Sequence, residues 1–410
     1  MLTVEQALEK VLALVPPLEA EARPILEALG QVLAQDVFSP LDVPPSDNSA
    51  MDGYAVLAED TRGASPASPR RLTVTGEVAA GAEARERLEP GKAIRIMTGA
   101  PIPPAADAVV PFEDTDEEQL GRGATIGILR EAPPGWNIRR RGEDIPRGSL
   151  VLAKGTELTP PGVGLLASLG MEKVQVIRRP VVAILSTGDE LMEPGQPPAP
   201  GKLYNSNAYS LAAQVARAGG IPRLLGIARD REEEVLAKIE EGLSTDLLLT
   251  SGGVSRGDYD MVKEVLARRG EVGFHQVRMR PGKPMAFGSF LREGRRVPHL
   301  GLPGNPVSVM ITFELFARPA IHRMMGKAYT PPTTTTALIE QRVANRDGRR
   351  VYARVKLRQE NGVLYARLTG DQGSGILTSL ASADALAIIP EDTPLVKEGD
   401  PVQVMKLEWS

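Results

Sequence analysis

The chain has 410 residues, 42% of them hydrophobic, and a formal net charge of -4; that is room for roughly two to four domains with ordinary cores, and no overall cationic field for nucleic acid. It contains no cysteine, which excludes disulfides, thiolate nucleophiles and Cys-ligated zinc or iron–sulfur centres and suits the cytoplasm. No apolar run approaches the roughly 18 residues of a membrane span, so a soluble, intracellular protein without a membrane or nucleic-acid partner is expected.

The chain opens on a predicted helix. Thr3 and Gln6 have capping-box spacing, and Ala7, Leu8, Val11 and Leu12 share one face. Pro24–Leu29 reads as a further helical stretch stopped by Gly30. A Pro/Gly-punctuated β-like insert follows at about 41–147, with strands predicted at Arg71–Val74 and Ala93–Met97. The pattern then alternates strand and helix. Strands are predicted at Val181–Ser186, Arg223–Ala228 and Leu247–Thr250, and helices at Ser206–Ala218, Glu232–Glu241, Asp258–Arg269 and Pro306–Met325. Apolar strands between amphipathic helices imply a mostly parallel α/β sheet, with ligands at the carboxyl ends of its strands. From about Ala328 the chain is β-rich, with a hairpin signal at Asn361-Gly362, and a small barrel or sandwich is expected. The expected parts are 1–173 with the insert, 174–327 and 328–410.

Several loops carry candidate chemistry. Asp47 to Tyr54 (DNSAMDGY) either presents Asp47 and Asp52 at a surface or is a plain turn capped by its own carboxylates. Thr98, at the end of a predicted strand, offers a hydroxyl to an anion or stabilises a turn. Arg139-Arg140-Arg141-Gly142-Glu143-Asp144 suits oxyanion recognition or forms a solvated charged turn. STGDEL at 186–191 and Asp246 through Ser255 (DLLLTSGGVS) are two strand-to-glycine junctions. Such loops let backbone amides approach an anion closely. Neither has the P-loop or dinucleotide spacing. Arg278 to Pro284 (RMRPGKP) puts three cations on a stiff loop, and Leu302 to Ser308 (LPGNPVS) places Asn305 as an N-cap with Pro306 at the first helical position. The histidines, His275, His299 and His322, are scattered and are assigned to no metal.

Asp52, Asp144, Glu190, Asp246 and Asp260 stand beside these basic loops. A carboxylate at about 4 Å from a phosphate would cost about 4 kcal/mol at an effective dielectric of 20, so cations must intervene. Arg and Lys supply some, and Mg²⁺ is the usual remainder on phosphorylated substrates.

DNSAMDGYA, MTGAP, RRRGED, STGDEL, SGGVS with GDYD, RPGKP and LPGNPVS stand in the order seen in the molybdopterin molybdenumtransferases, the family that includes the E domain of gephyrin. The chain resembles that family from about Asp47 to Ile376, with GDQGSGIL and the Arg354 region also similar. The resemblance implies a homodimer whose subunits have a helical part, an inserted β part, a molybdopterin-binding α/β part and a C-terminal β-barrel. It implies a site shared between subunits that takes adenylylated molybdopterin and molybdate and releases AMP and molybdenum cofactor, assisted by Mg²⁺. A molybdopterin adenylyltransferase is the implied partner. By motif, Asp52, Thr98, Asp144, Glu190, Asp246 and Asp260 carry over as the catalytic set, with Glu190, Asp246 and Asp260 the magnesium candidates. Ser251, Gly252, Gly253, Ser255, Arg280, Lys283, Ser308, Arg354 and Ser374 carry over as pterin and oxyanion contacts. Members often have Lys where this chain has Arg280, and a second Lys near Gln276, so no role is assigned to Gln276. Three other readings compete. A molybdopterin adenylyltransferase resembles the α/β part alone. A gephyrin-like scaffold would bind without turnover. A generic nucleotide- or sugar-phosphate-binding module is distinguished only by the ordered motif set.

Overall fold

In a computed structural model, residues 1–117, 123–252, 270–407 and 409 are described. The chain forms two compact units: Met1–Ala22, Gly30–Val32 and Gln175–Ser410 make the first, and Arg23–Leu29 and Leu33–Val174 the second. Among the described residues no helix is long and apolar enough to cross a membrane.

The first unit begins with the helix Val4–Leu14. Its predicted capping box is formed: the Gln6 amide donates to the Thr3 hydroxyl at 3.1 Å, and the Thr3 amide donates to the Gln6 side chain at 3.0 Å. Those bonds satisfy two of the donors that a helix start leaves orphaned. Val4, Ala7 and Val11 are buried in the main core.

The central sheet has six strands in the order Ile221–Ala228, Val181–Thr187, Leu247–Ser251, Arg295–Leu302, Pro284–Arg292 and Gly270–Gln276. The first four are parallel, as expected. The last two extend the sheet as antiparallel neighbours. Alternate residues feed two cores. Val182, Ile184, Leu247 and Leu249 join the one that includes Leu211 and Val215 of the helix Ser206–Arg217. Ala183, Leu185 and Leu248 join the one that includes Val235 and Ile239 of the helix Glu232–Gly242. Covering on both faces is why these strands read as unbroken apolar runs. The helix predicted at Pro306–Met325 runs as Pro306–Thr312, a π-helical turn Phe313–Ala317 and Arg318–Met324. The helix predicted at Asp258–Arg269 lies outside the described residues.

The C-terminal part is a closed five-stranded barrel. Arg350–Glu360 pairs with Val363–Leu368, which leads through Thr334–Ile339, Pro401–Lys406 and Ala385–Ile389 back to Arg350–Glu360. Asn361 and Gly362 make the predicted hairpin turn, both with positive φ, 49° and 79°.

The second unit holds a five-stranded sheet in the order Ala108–Pro111, Gly53–Val56, Lys92–Ile96, Arg70–Val78 and Thr125–Ile128. Leu150–Leu152 pairs with Val37–Phe38, and Leu158 and Leu166 are fully buried. The helix expected over Pro24–Leu29 does not form: Pro24 ends the strand Ala20–Pro24, and turns follow to Gly30. Ala28 donates to the Pro24 carbonyl at 3.0 Å, a single helical bond. Six residues gain too few such bonds to offset helix nucleation. The helices described in the N-terminal region include Val4–Leu14 and Pro160–Ser168, with short 3₁₀ turns.

In the antiparallel extension, a Cβ at Gly288 would lie 2.0 Å from the Glu271 carbonyl oxygen and 2.6 Å from the Val272 Cα. Backbone cannot swing away as a side chain can. Gly288→Ala is expected to force Gly270–Gln276 off its neighbour and to cost about 3 kcal/mol. A thermal melt at wild-type midpoint would show that the strand pairing is looser than this packing.

Candidate functional site

Three parallel strands end at one level. Ser186 stands opposite Ser251, and Ser251 opposite Leu302. The motif loops STGDEL, SGG and LPGNPVS leave from these ends. Gly252 has φ +95°, and a Cβ there would lie 2.9 Å from the Thr187 carbonyl oxygen; only glycine allows this approach. Its amide donates to the Leu302 carbonyl at 3.2 Å. Pro284–Arg292 runs antiparallel to Arg295–Leu302, with Ala286 opposite Gly301. That register starts the strand where its neighbour ends, so RPGKP reaches the same edge. The GDQGSG loop joins through Asn305, whose side-chain amide donates to the Ser374 hydroxyl at 3.0 Å, and through Val307, whose amide donates to the Ser374 carbonyl at 3.0 Å. Asn305 occupies the expected N-cap position, but its side chain makes this bridge and caps nothing.

The edge thus gathers Glu190, Ser251, Gly252, Lys283, Ser308 and Ser374, all in the first unit. Ser308 is buried in the first turn of Pro306–Thr312. Lys283 is half-buried, and its ammonium has no partner among the described residues. Arg280 donates to the Ala344 carbonyl at 3.1 Å and lies 3.7 Å from the Asp347 carboxylate, which offsets part of its charge. Glu190 is exposed and unpaired among the described residues. Asp230 is raised above the usual carboxylate range, first by burial and then by the charges of Asp189 and Glu190.

Arg354, expected as an oxyanion contact, is fully buried and makes no ion pair among the described residues. It donates to the Ser379 hydroxyl at 2.8 Å and to the Asp371 and Gly373 carbonyls at 2.9 and 3.0 Å, so it shapes the loop that carries Ser374. Asp246 was read as catalytic and metal-binding, but it sits at the opposite end of its strand from Ser251. Arg178 grips its two oxygens at 2.6 Å each, the Val181 amide donates to one at 2.8 Å, and Arg295 lies 3.2 Å from the other. A carboxylate so engaged has nothing left for a metal. Gly253, Ser255 and Asp260 lie outside the described residues. Among the described residues no three His, Asp or Glu side chains are grouped to hold a metal ion.

Asp52, Thr98 and Asp144 belong to the second unit. Asp52 accepts from the Thr98 amide at 2.6 Å and from its hydroxyl at 2.8 Å. These bonds, the amide foremost, hold the Asp52 carboxyl below the usual range. The Thr98 hydroxyl, expected to serve an anion, is committed to Asp52. In the RRRGED turn, Arg140 pairs with Asp47 at 2.7 Å and Arg141 with Asp42 at 2.6 Å. That supports the charged-turn reading for two of its three cations. Asp144 is exposed, with no side-chain partner among the described residues.

Sequence reasoning passed over Asn205 and Asn207, which open the helix Ser206–Arg217. Asn205 accepts from the Ser186 hydroxyl at 2.8 Å, and Asn207 donates to the Ser251 hydroxyl at 2.8 Å and the Gly304 carbonyl at 2.7 Å. The signal available was Asn-Ser-Asn at a helix start, which propensity explains as capping alone.

Three family models match in order: the MoeA N-terminal region (domain I and II) at residues 2–170, a probable molybdopterin binding domain at 183–323, and the MoeA C-terminal region (domain IV) at 336–407. A molybdopterin molybdenumtransferase 2 of Mycobacterium tuberculosis is 40% identical, covering 94% of each chain. The chain belongs to the molybdopterin molybdenumtransferase family. A molybdopterin molybdenumtransferase of Haemophilus influenzae is 36% identical over 98% of each chain. A crystal structure of a molybdopterin biosynthesis MoeA protein from Pyrococcus horikosii matches at a TM-score of 0.83 and 37% identity, covering 99% of each chain.

In this molybdenumtransferase-family chain, Asp246→Ala is expected to lower stability by about 2–3 kcal/mol, because it strands Arg178 and Arg295 without their shared partner. Burial alone would raise the Asp246 carboxyl, but Arg178 and the Val181 amide outweigh it, and its pKa is lowered. Its contribution is therefore present above the unfolded value of about 3.9 and is lost as pH falls through the folded one. The gap between wild-type and variant melting temperatures should hold at neutral pH and narrow below about pH 4. An unchanged melting temperature at pH 7 would return Asp246 to the list of site residues.

Proposed function

We propose that this chain inserts molybdenum into molybdopterin, taking the adenylylated pterin and molybdate and releasing AMP with the finished cofactor. The observation that carries the reading is the loop cluster at the ends of three parallel strands. It sits in a chain that aligns with named molybdenumtransferases over nearly their full length. The matches on both sides of the α/β part, at 2–170 and 336–407, speak against an adenylyltransferase built from that part alone.

The chemistry asks for little covalent work by the protein. Adenylylation makes AMP the leaving group: an oxygen of water, or of molybdate followed by water, attacks the pterin-side phosphorus, and the P–O bond from that phosphorus to AMP breaks. Negative charge builds on phosphate and oxyanion. The Lys283 ammonium, unpaired among the described residues, supplies a donor for that charge. Arg280, with its charge partly offset, is the weaker contributor. Asp52 is ionised at neutral pH, so its role is to accept a hydrogen bond or to oppose positive charge. Of the three carboxylates expected to hold Mg²⁺, Asp246 is neutralised by two arginines and only Glu190 stands at the strand-end edge among the described residues. Among the described residues no group of carboxylates forms a magnesium set.

The decisive assay incubates the protein with adenylylated molybdopterin and molybdate and follows AMP and cofactor together. Stoichiometric release of both is expected. Asp52→Ala and Glu190→Ala should each lower turnover at least about tenfold; Glu190→Ala should keep stability within about 0.5 kcal/mol of wild type, and Asp52→Ala, which loses both bonds from Thr98, should cost about 1 kcal/mol. Wild-type turnover in both variants would overturn their assignment, and no AMP release from the wild-type protein would overturn the function.

We also propose that the working form is a homodimer with residues from two chains in each site. Mixing the two inactive variants under subunit exchange should restore activity through one intact site per heterodimer. Lack of recovery despite demonstrated exchange would place each site within one chain.

A further inference from the structure

Asn207 is the second residue of the helix Ser206–Arg217. Its side-chain nitrogen donates to the Ser251 hydroxyl at 2.8 Å and to the Gly304 carbonyl at 2.7 Å. A backbone carbonyl can only accept, so the Gly304 contact fixes which way the amide faces. That orientation leaves the Asn207 Oδ1 buried and without a hydrogen-bond partner among the described residues. A buried carbonyl without a donor opposes stability, and an ordinary helix residue would avoid it. The side chain is therefore held for its two donors. Those donors join loops that follow two different strands. A third tie comes from the same turn: Asn205 accepts from the Ser186 hydroxyl at 2.8 Å and from the Ala208 amide at 3.3 Å. One helical turn thus touches all three strand-end loops.

We infer that Asn207 is a positioning residue for the pterin nucleotide: it sets the spacing between the Ser251–Gly252 turn and the Gly304 carbonyl, and so aims the Gly252 region at the ligand. This rests on the proposed function of the same loops. Asn207 acts through the loops and does no chemistry itself. Its loss should widen the two loops without unfolding the sheet, because the strand register there is kept by backbone bonds. It should affect the pterin nucleotide more than molybdate, since Lys283 is not bonded to it.

The test uses the full chain with Asn207→Ala and with Asn207→Asp, which keeps the shape but lacks both donors. Amide hydrogen exchange at 251–252 and 302–305 should be faster in both variants, with the strand Val181–Thr187 unchanged. The KM for adenylylated molybdopterin should rise about tenfold, the scale of losing two neutral hydrogen bonds. The KM for molybdate at saturating pterin nucleotide should stay at the wild-type value, and the melting temperature should fall by only about 2–4 °C. Wild-type exchange and KM in both variants would overturn the inference. A changed KM with wild-type exchange would also overturn it, by making Asn207 a direct contact. A larger fall in melting temperature with both KM values moving together would reduce it to a stability residue. If the wild-type protein fails to process the pterin nucleotide, the proposed function falls, and the exchange comparison alone still decides whether Asn207 clamps the loops.

Discussion

The register of three parallel strands is the constraint on which the rest of the site depends. Ser186, Ser251 and Leu302 stand side by side because backbone pairing leaves no other alignment. A slip of one residue would turn Val182, Ile184, Leu247 and Leu249 out of their core and the polar loop ends into it. Burial of those side chains therefore fixes where the loops begin. Everything polar at the edge is then a short-range adjustment: Gly252 against Thr187, Asn207 across to Gly304, Asn305 across to Ser374.

The opposite end of the same sheet shows what charge does when it is used for structure. Asp246 is held by Arg178 and Arg295, and its neighbours Val181 and Thr245 are drawn into the same network. Arg354 in the barrel is also fully buried, but its bonds go to neutral groups, the Ser379 hydroxyl and the carbonyls of one loop. At the strand-end edge the pattern reverses. Glu190 and Lys283 are unpaired among the described residues, and they belong to the loops that a ligand would meet. Charge that is satisfied internally builds the frame, and charge that is not remains for binding.

Much of this organisation was legible in the chain. Apolar runs at Val181–Ser186 and Leu247–Thr250 announced strands covered on both faces, and Asn361-Gly362 announced the barrel hairpin. The capping box at Thr3 and Gln6 was readable because its partners are three residues apart. What sequence could not show was long-range pairing. Asp246 adjoins the SGG motif along the chain, so it looked like part of the site, yet a strand of five residues carries it to the far end of the sheet. The burial of Arg354 was not legible, because nothing local reveals it. Asn207 gave no sign of its bridge because Gly304 lies 97 residues away.

The central claim is that the pterin nucleotide binds at the carboxyl ends of these strands. A crystal structure of the protein with adenylylated molybdopterin tests it most directly. The account predicts the nucleotide against the loops of Glu190, Gly252, Gly304 and Ser374, with Arg178 and Asp246 still paired and distant from it. A nucleotide seated on the Arg178–Asp246 end of the sheet, with that pair opened, would contradict it.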